Sequence, residues 1–527
     1  MQRSEPAARP SASAAAPDTV EESPLLPRGS VDGEAPPNTP ASSAGITWSC
    51  LASAAIVCIA PLQYGYHIAE LNTPKKIITT CDGGGARWAS LPRCLPMSDA
   101  VFSVATSMFA VGGLLGSLAA GWMAGRWGRR GALVYNNLPF VAGPLLMAFA
   151  ASPAMLIVGR FVSGLGAGAA VVIAPMYLSE IAPVKYRGTL NLLNQLSIVL
   201  GILVTLTVGM LANSGPYWRI SVGFGLLLAC MHLLLAAFAV ESPRFLWSRG
   251  KHAEARTVLR KLRGSADVDG EVATWGMAAT TATMTAPHQA DAAAESSDDA
   301  AKPDDLAAPV GLNEEAAVVT IFNIFRIRRY RQPWLLVLLL QFGQQLSGIN
   351  TVFYFSSSVL ERMFSSQLSG ILTMMIGVLN VLATALAAPV VDRFGRRPLL
   401  LTSMAAMAVS VTLLGVGLRL GLNLLAAVSL YLVVASFAPG YGPVPFLLGT
   451  ELFDMRAAGA GCSWALAANW TGTFLIAVAF LPLLNAIGEW VFAIFVGALL
   501  VCGAVFYVYI PETRGRTIEE IAQSFKH

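Results

Sequence analysis

Gly125-Arg-Trp-Gly-Arg-Arg130 returns 267 positions later as Asp392-Arg-Phe-Gly-Arg-Arg397. Two more landmarks repeat: Glu180 and Glu241 recur 271 positions on as Glu451 and Glu512, each at the end of an apolar block. Three landmarks at nearly constant spacing mark a duplication. The chain is two similar halves, and the composition says what kind.

Of 527 residues, 55% are hydrophobic and 13% charged, whereas soluble domains carry about 25% charged residues. The apolar residues fall into blocks of about 20, the length that crosses a bilayer as a helix. Twelve candidate spans run roughly 48–71, 100–124, 131–151, 154–178, 188–211, 217–239, 334–360, 368–390, 398–418, 424–449, 460–484 and 488–510. The fold class is therefore an all-α polytopic membrane protein with six spans per half. Paired six-helix repeats are the architecture of rocking transporters, with substrate held at the midplane between them.

An even number of spans places both termini on one side. The basic loops 125–130, 184–188, 392–397 and 454–456 and the tail Thr513-Arg-Gly-Arg share that side, which is therefore cytosolic. Loop 72–99, with Lys75, Lys76, Arg87 and Arg93, runs against this rule. It also carries Cys81 and Cys94; facing a lumen or the exterior they are free to pair, or to remain thiols. The other five cysteines fall in spans as small apolar residues. The net charge of +4 is too small to argue for nucleic acid, and no nucleophile, phosphate-loop or metal pattern points to an enzyme or a cofactor.

The domain reading is a cytosolic tail 1–45, an N-terminal bundle 46–240, a linker 241–330, a C-terminal bundle 331–510 and a second tail 511–527. Tail 1–45 and insert 265–317 lack apolar periodicity and read as disordered. The start of the linker reads as short basic amphipathic helices at the membrane surface. Within the first tail, Glu21-Glu-Ser-Pro-Leu25-Leu26 resembles a dileucine sorting signal read by adaptors at endosomes, lysosomes or vacuoles.

With GRWGRR and DRFGRR, the strings ESPRFL (241–246), QQLSGIN (344–350) and PETRG (511–515) resemble the sugar porter family of the major facilitator superfamily. The resemblance covers about 46–265 and 320–520 and implies a sugar transporter working by alternating access, facilitative or proton-coupled. LQYGYH (62–67) and the dileucine tail resemble a fungal, vacuole-associated branch, which favours a vacuolar or endolysosomal membrane over the plasma membrane.

Buried amides cost several kcal/mol when unpaired and offer donors and acceptors together, which suits a polyhydroxyl ligand. Interhelical hydrogen bonding is the plainer use of such groups. The resemblance assigns Gln195, Gln344, Gln345, Asn350, Asn380 and Asn469 to the sugar site. Trp470 and Tyr64 offer flat faces to a pyranose, and Tyr354 and Phe355 match an outer aromatic gate. The tenth span carries Pro439, Gly440, Gly442, Pro443 and Pro445, which no continuous helix accommodates; a break there reads as a hinge lining a cavity, with Pro443 and Pro445 in the gate. Ala438 and Phe446 stand where glucose facilitators have an acidic residue and a tryptophan. That departure keeps a polyol or another polar metabolite open as substrate. A non-transporting sensor is the other alternative, disfavoured by a short C-terminal tail.

On the cytosolic side Arg126 and Arg130 are expected to bond Glu180 and Glu241, near Arg187, and Arg393 and Arg397 to bond Glu451 and Glu512, near Arg456. In the family such groups latch the inner ends in the outward-open state and release them for inward opening. Finally, Gln63, His67 and Glu70 share one face of the first span. Ionisable groups in a span face the bundle interior, where Arg160 of the fourth span awaits. In proton-coupled relatives an aspartate stands at the position of His67 and pairs with the arginine at 160. Two readings follow: a protonatable His67–Glu70 site coupled to Arg160, or a static Glu70–Arg160 salt bridge.

Overall fold

The computed structural model describes residues 46–527 apart from 82–86, 89, 90, 213, 266, 274, 276–318, 455, 515, 517–519, 522, 523, 526 and 527. The Glu21–Leu26 motif, the first tail and most of insert 265–317 lie outside the described residues. Among those described, nine helical stretches are long and apolar enough to cross a membrane. Asp99–Ala148 and Ala458–Tyr509 hold two spans each, and the broken tenth span, Asn423–Phe437 with Val444–Glu451, completes twelve. The remaining spans are Trp48–Ala69, Pro153–Ile181, Arg187–Leu211, Trp218–Ala236, Arg328–Leu346 with Ile349–Leu360, Ser366–Phe394 and Arg396–Arg419.

The duplication is visible in the backbone. Gly128 turns the chain between the second and third spans at φ 82°, and Gly395 does the same between the eighth and ninth at φ 85°. Both sit in the repeated hexapeptide, and only glycine takes this left-handed region without a Cβ penalty. Close helix approach also comes from glycine: a Cβ at Gly112 or Gly116 would overlap the carbonyls of Phe161 and Leu165 in the fourth span, the small-residue packing typical of membrane helices.

The two linker helices, Pro243–Ser248 and His252–Arg263, dock under the N-terminal half. Arg263 donates to the carbonyls of Ile181 (2.7 Å) and Ala182 (3.2 Å) at the end of the fourth span, where unpaired carbonyls favour a cation.

On the outer side, Cys81 and Cys94 form a disulfide with Cα atoms 5.7 Å apart. It closes a two-residue antiparallel pairing of Arg87–Trp88 with Leu91–Pro92. Arg219 and Trp218 hold that loop by its carbonyls, at Pro92 (2.7 Å) and Arg93 (2.8 Å). Lys75, one of the charges against the topology rule, pairs with Asp99 at 2.8 Å.

The halves meet over their outer segments. Leu203, Leu206 and Met210 of the fifth span pack against Gly377 and Gly370 of the eighth, and Trp470 fills the space over Gly113. Asn72 donates to Ser356 Oγ (2.8 Å) and accepts from the Ser357 amide (3.1 Å) across the divide, and Asn485 donates to Asp99 at 2.8 Å. These contacts hold the halves together at their outer ends, and Gln195 and Phe446 are exposed.

Candidate functional site

The break in the tenth span organises a network of side-chain amides. Between Phe437 and Val444 the helix is broken, and carbonyls there go without helix donors, Tyr441 O because Pro445 has no N–H. Gln344 Nε2 supplies them with donors, reaching Tyr441 O at 2.6 Å and Gly442 O at 3.0 Å, and Ser403 Oγ accepts from the Tyr441 amide at 2.9 Å. Pro443 caps the second segment and Pro445 is buried inside it. Around Gln344 the amides form a chain. Gln345 donates to Gln344 Oε1 (3.1 Å), Asn350 donates to Gln345 Oε1 (2.6 Å) and Thr473 Oγ1 (3.3 Å), and Asn469 donates to Gln341 (2.8 Å) and Gln344 (3.0 Å).

Thus the structure gathers Gln344, Gln345, Asn350 and Asn469, and adds Gln341 and Thr473, which the sequence reading missed. Gln341 had a signal, since it precedes Gln344 by one helical turn. Gln195 and Asn380 are not hydrogen-bonded into that chain. Gln195 precedes Leu206 by 11 positions, three turns at about 3.6 residues each. It therefore shares the helix face that packs on the eighth span, and it is exposed. Asn380 is buried one turn from Gly377 on the facing helix. Phe446 is 44% exposed.

Aromatic rings meet where the two halves join. Tyr64 stacks on Phe109 at 6.3 Å and meets Trp470 edge-on at 5.9 Å, and Phe109 meets Trp470 at 6.1 Å. Tyr354 and Phe355 are buried further out, Phe355 stacked on Phe480 at 5.4 Å. Phe109 is another residue the sequence reading missed, being one apolar side chain among many.

The stripe on the first span is fully enclosed: His67 and Arg160 are 0% exposed and Glu70 1%. Glu70 accepts from Arg160 Nη1 through Oε1 (2.6 Å) and meets His67 Nδ1 through Oε2 (2.7 Å). Arg160 Nη1 also donates to the His67 carbonyl at 2.6 Å, and its guanidinium lies 4.5 Å from the Phe109 ring centroid. A continuous contact path thus links the charged cluster of the N-terminal half to Trp470 of the other. Gln63 does not join Glu70. It turns to Asn137 and His232, two further residues not singled out from sequence.

The cytosolic charges are arranged differently from the expectation. Arg129, not Arg126, pairs with Glu180 at 2.7 Å, and Arg396, not Arg393, pairs with Glu451 at 3.3 Å. Arg126 and Arg393 are exposed and offer only carbonyls, to Arg249 and Arg514. Glu241 takes the amides of Arg129 (2.8 Å) and Arg130 (3.2 Å), and Glu512 those of Arg396 (3.0 Å) and Arg397 (3.2 Å). The left-handed glycine leaves the first amides of the third and ninth spans unpaired, and a carboxylate is the natural partner at a helix N-terminus. The side chains of Arg130 and Arg397 instead donate to the carbonyls of Ala236 (3.0 Å) and Tyr507 (2.5 Å). Each Arg–Glu pair closes within its own half. Arg187 starts the fifth span and Arg456 precedes the eleventh.

Burial raises the Glu512 carboxyl's pKa, but amides led by those of Arg514, Arg396 and Arg397 outweigh this and hold it below the usual range. Its stabilisation is present above the ordinary carboxylate value of about 4.3 and disappears as pH falls through the lower folded value. Glu512→Gln is therefore expected to lower the melting temperature in detergent at neutral pH, with the difference vanishing in strong acid. A difference independent of pH would contradict the capping role.

A two-half helical bundle with linked amides at a broken span has the build of an alternating-access carrier. The sequence pattern described as "Sugar (and other) transporter" matches residues 53–525. Human facilitated glucose transporter member 3 is 33% identical over 91% of this chain and 93% of its own length. A probable metabolite transport protein of Saccharomyces cerevisiae is 31% identical over 90% and 94%. Among solved structures, the partially occluded inward-open xylose transporter XylE from E. coli aligns with TM-score 0.70 at 22% identity, covering 89% of this chain and 100% of that one. The chain belongs to the sugar transporter family of the major facilitator superfamily, and is an integral, multi-pass membrane transporter.

Proposed function

We propose that this protein carries a hexose-like sugar by alternating access, in symport with protons. The observation that carries the reading is the linked set of amides Gln341, Gln344, Gln345, Asn350 and Asn469 at the broken tenth span. Their donors and acceptors are neutral and paired to each other, so sugar hydroxyls replace one hydrogen-bond partner with another at small net cost. Gln195 and Asn380 complete the site from the fifth and eighth spans, with Tyr64, Trp470 and Phe446 as apolar contacts. Tyr354, Phe355 and the Pro443–Pro445 segment move as gates. The Arg–Glu pairs, with Arg129 and Arg396 as basic partners, brace the inner span ends within each half and do not join one half to the other.

The proton is taken by the His67–Glu70 pair and sensed by Arg160. Neutralising Glu70 frees Arg160, whose contact with Phe109 leads to Trp470 and hence to the other half. The acidic side is a vacuolar or endolysosomal lumen, reached through adaptor recognition of Glu21, Leu25 and Leu26, with lipid surrounding the spans. A polyol or other polar metabolite is the second reading, favoured by Ala438 and Phe446, which remove polar groups from the site region.

Uptake of a radiolabelled sugar and polyol panel into proteoliposomes, with and without a proton gradient, tests both. Saturable hexose uptake accelerated by an inward proton gradient is the expected result, with His67→Ala flattening the pH dependence. Polyol uptake without hexose uptake favours the second reading. An unchanged pH profile in His67→Ala removes His67 from the coupling.

A further inference from the structure

A second polar cluster lies inside the N-terminal half, away from the amides at the tenth span. Gln63, Asn137 and His232 come from the first, third and sixth spans and are 0%, 1% and 1% exposed. His232 Nδ1 is 3.1 Å from Gln63 Nε2, a donor, and 3.1 Å from Asn137 Oδ1, an acceptor. The first contact suits the tautomer with a bare Nδ1, and the second suits the tautomer with a proton there. The surroundings of Nδ1 therefore favour neither tautomer, and Nε2 is left open to a further partner.

Three polar atoms here have no hydrogen-bond partner: His67 Nε2, Gln63 Oε1 and His232 Nε2. Buried polar atoms without partners mark sites for water. They are laid out in order. Gln63 is one turn, about 6 Å, from His67 along the first span. Further in, His232 is one turn from Ala236, whose carbonyl binds the Arg130 side chain at the cytosolic end. The sixth span touches one histidine and carries the other: a Cβ at Gly225 would lie 2.6 Å from His67 Cε1, and His232 is two turns further along the same helix. Around His67 the titratable and charged groups are Glu70, Arg160 and Tyr66. His232 faces the neutral Gln63 and Asn137, with Arg130 beyond.

We propose that this cluster is a water-lined proton exit, running from His67 past Gln63 and His232 to the cytosol within the N-terminal half. It rests on the proton-coupled reading above. In the inward-facing state the proton held at His67–Glu70 leaves from His67 Nε2 to water, is taken up at His232 Nε2, the ring nitrogen without a partner, and is released from that same nitrogen to water leading to the cytosol beside Arg130. Sugar leaves by the separate space between the halves.

The test uses full-length protein in proteoliposomes with a trapped pH dye and D-glucose, or whichever sugar of the panel is carried. His232→Leu is expected to reduce sugar-driven proton movement at least tenfold while sugar counterflow, which needs no net proton transfer, stays within twofold. His232→Gln, which still hydrogen-bonds water, is expected to retain most proton movement. Proton movement in His232→Leu equal to the parent's overturns the exit and leaves the coupling reading standing. Equal losses of counterflow and proton movement reduce the cluster to packing and also overturn it. A parent protein that carries sugar without protons overturns both. If His232→Leu does not reach the membrane, Gln63→Leu and Asn137→Leu probe the same path with the same expectations.

Discussion

Arg160→Leu is expected to destabilise the protein by about 3–5 kcal/mol, the usual result of removing one partner of a buried ion pair. The loss follows from what is left behind. Glu70, itself 1% exposed, would keep His67 at 2.7 Å but lose the guanidinium at 2.6 Å. The His67 carbonyl loses a donor and the Phe109 ring loses its cation. The double variant Arg160→Leu with Glu70→Leu is expected to recover much of the stability, because no charge remains buried. It is not expected to recover proton-coupled transport. Thermal unfolding in detergent together with pH-dependent uptake separates the two effects. A single variant as stable as the parent would mean that Glu70 is already neutral without its arginine, and that the pair is not an ion pair at rest.

How much of this was legible follows from the distance over which each signal acts. The twelve spans and their division were readable because apolar length and loop charge are local, and because the Gly128 and Gly395 turns repeat in sequence as they do in space. The tenth-span break was readable because proline forbids the helix wherever it stands. The choice of arginine was not. GRWGRR offers Arg126, Arg129 and Arg130 within one turn, and the left-handed residue at Gly128 decides that Arg129 meets Glu180 while the neighbouring amides meet Glu241. Pairing across the bundle was equally hidden. His232 stands out as a lone imidazole in a leucine-rich span, but its partners lie 95 and 169 positions away. Asn72 looks like a loop residue until Ser356, 284 positions on, is placed beside it.

The proposed sugar site asks its amides both to hold the broken span and to meet the ligand, and two substitutions are expected to tell these roles apart. Gln344→Leu leaves the carbonyls of Tyr441 and Gly442 without their donor and removes the acceptor used by Asn469 and Gln345. Each buried group so orphaned costs about 1–3 kcal/mol, and the broken span is held in place by these bonds. The expected result is a large loss of both stability and transport, at least tenfold in uptake at any sugar concentration. Gln345→Leu breaks the bonds to Gln344 and Asn350 but touches no free carbonyl of the break. It is expected to leave the melting temperature nearly intact and raise the KM for sugar about tenfold, equivalent to about 1.4 kcal/mol of binding. If Gln344→Leu is as stable as the parent, the tenth span keeps its shape by other means. Uptake by Gln345→Leu with an unchanged KM would place that amide among the helix contacts and outside the sugar site.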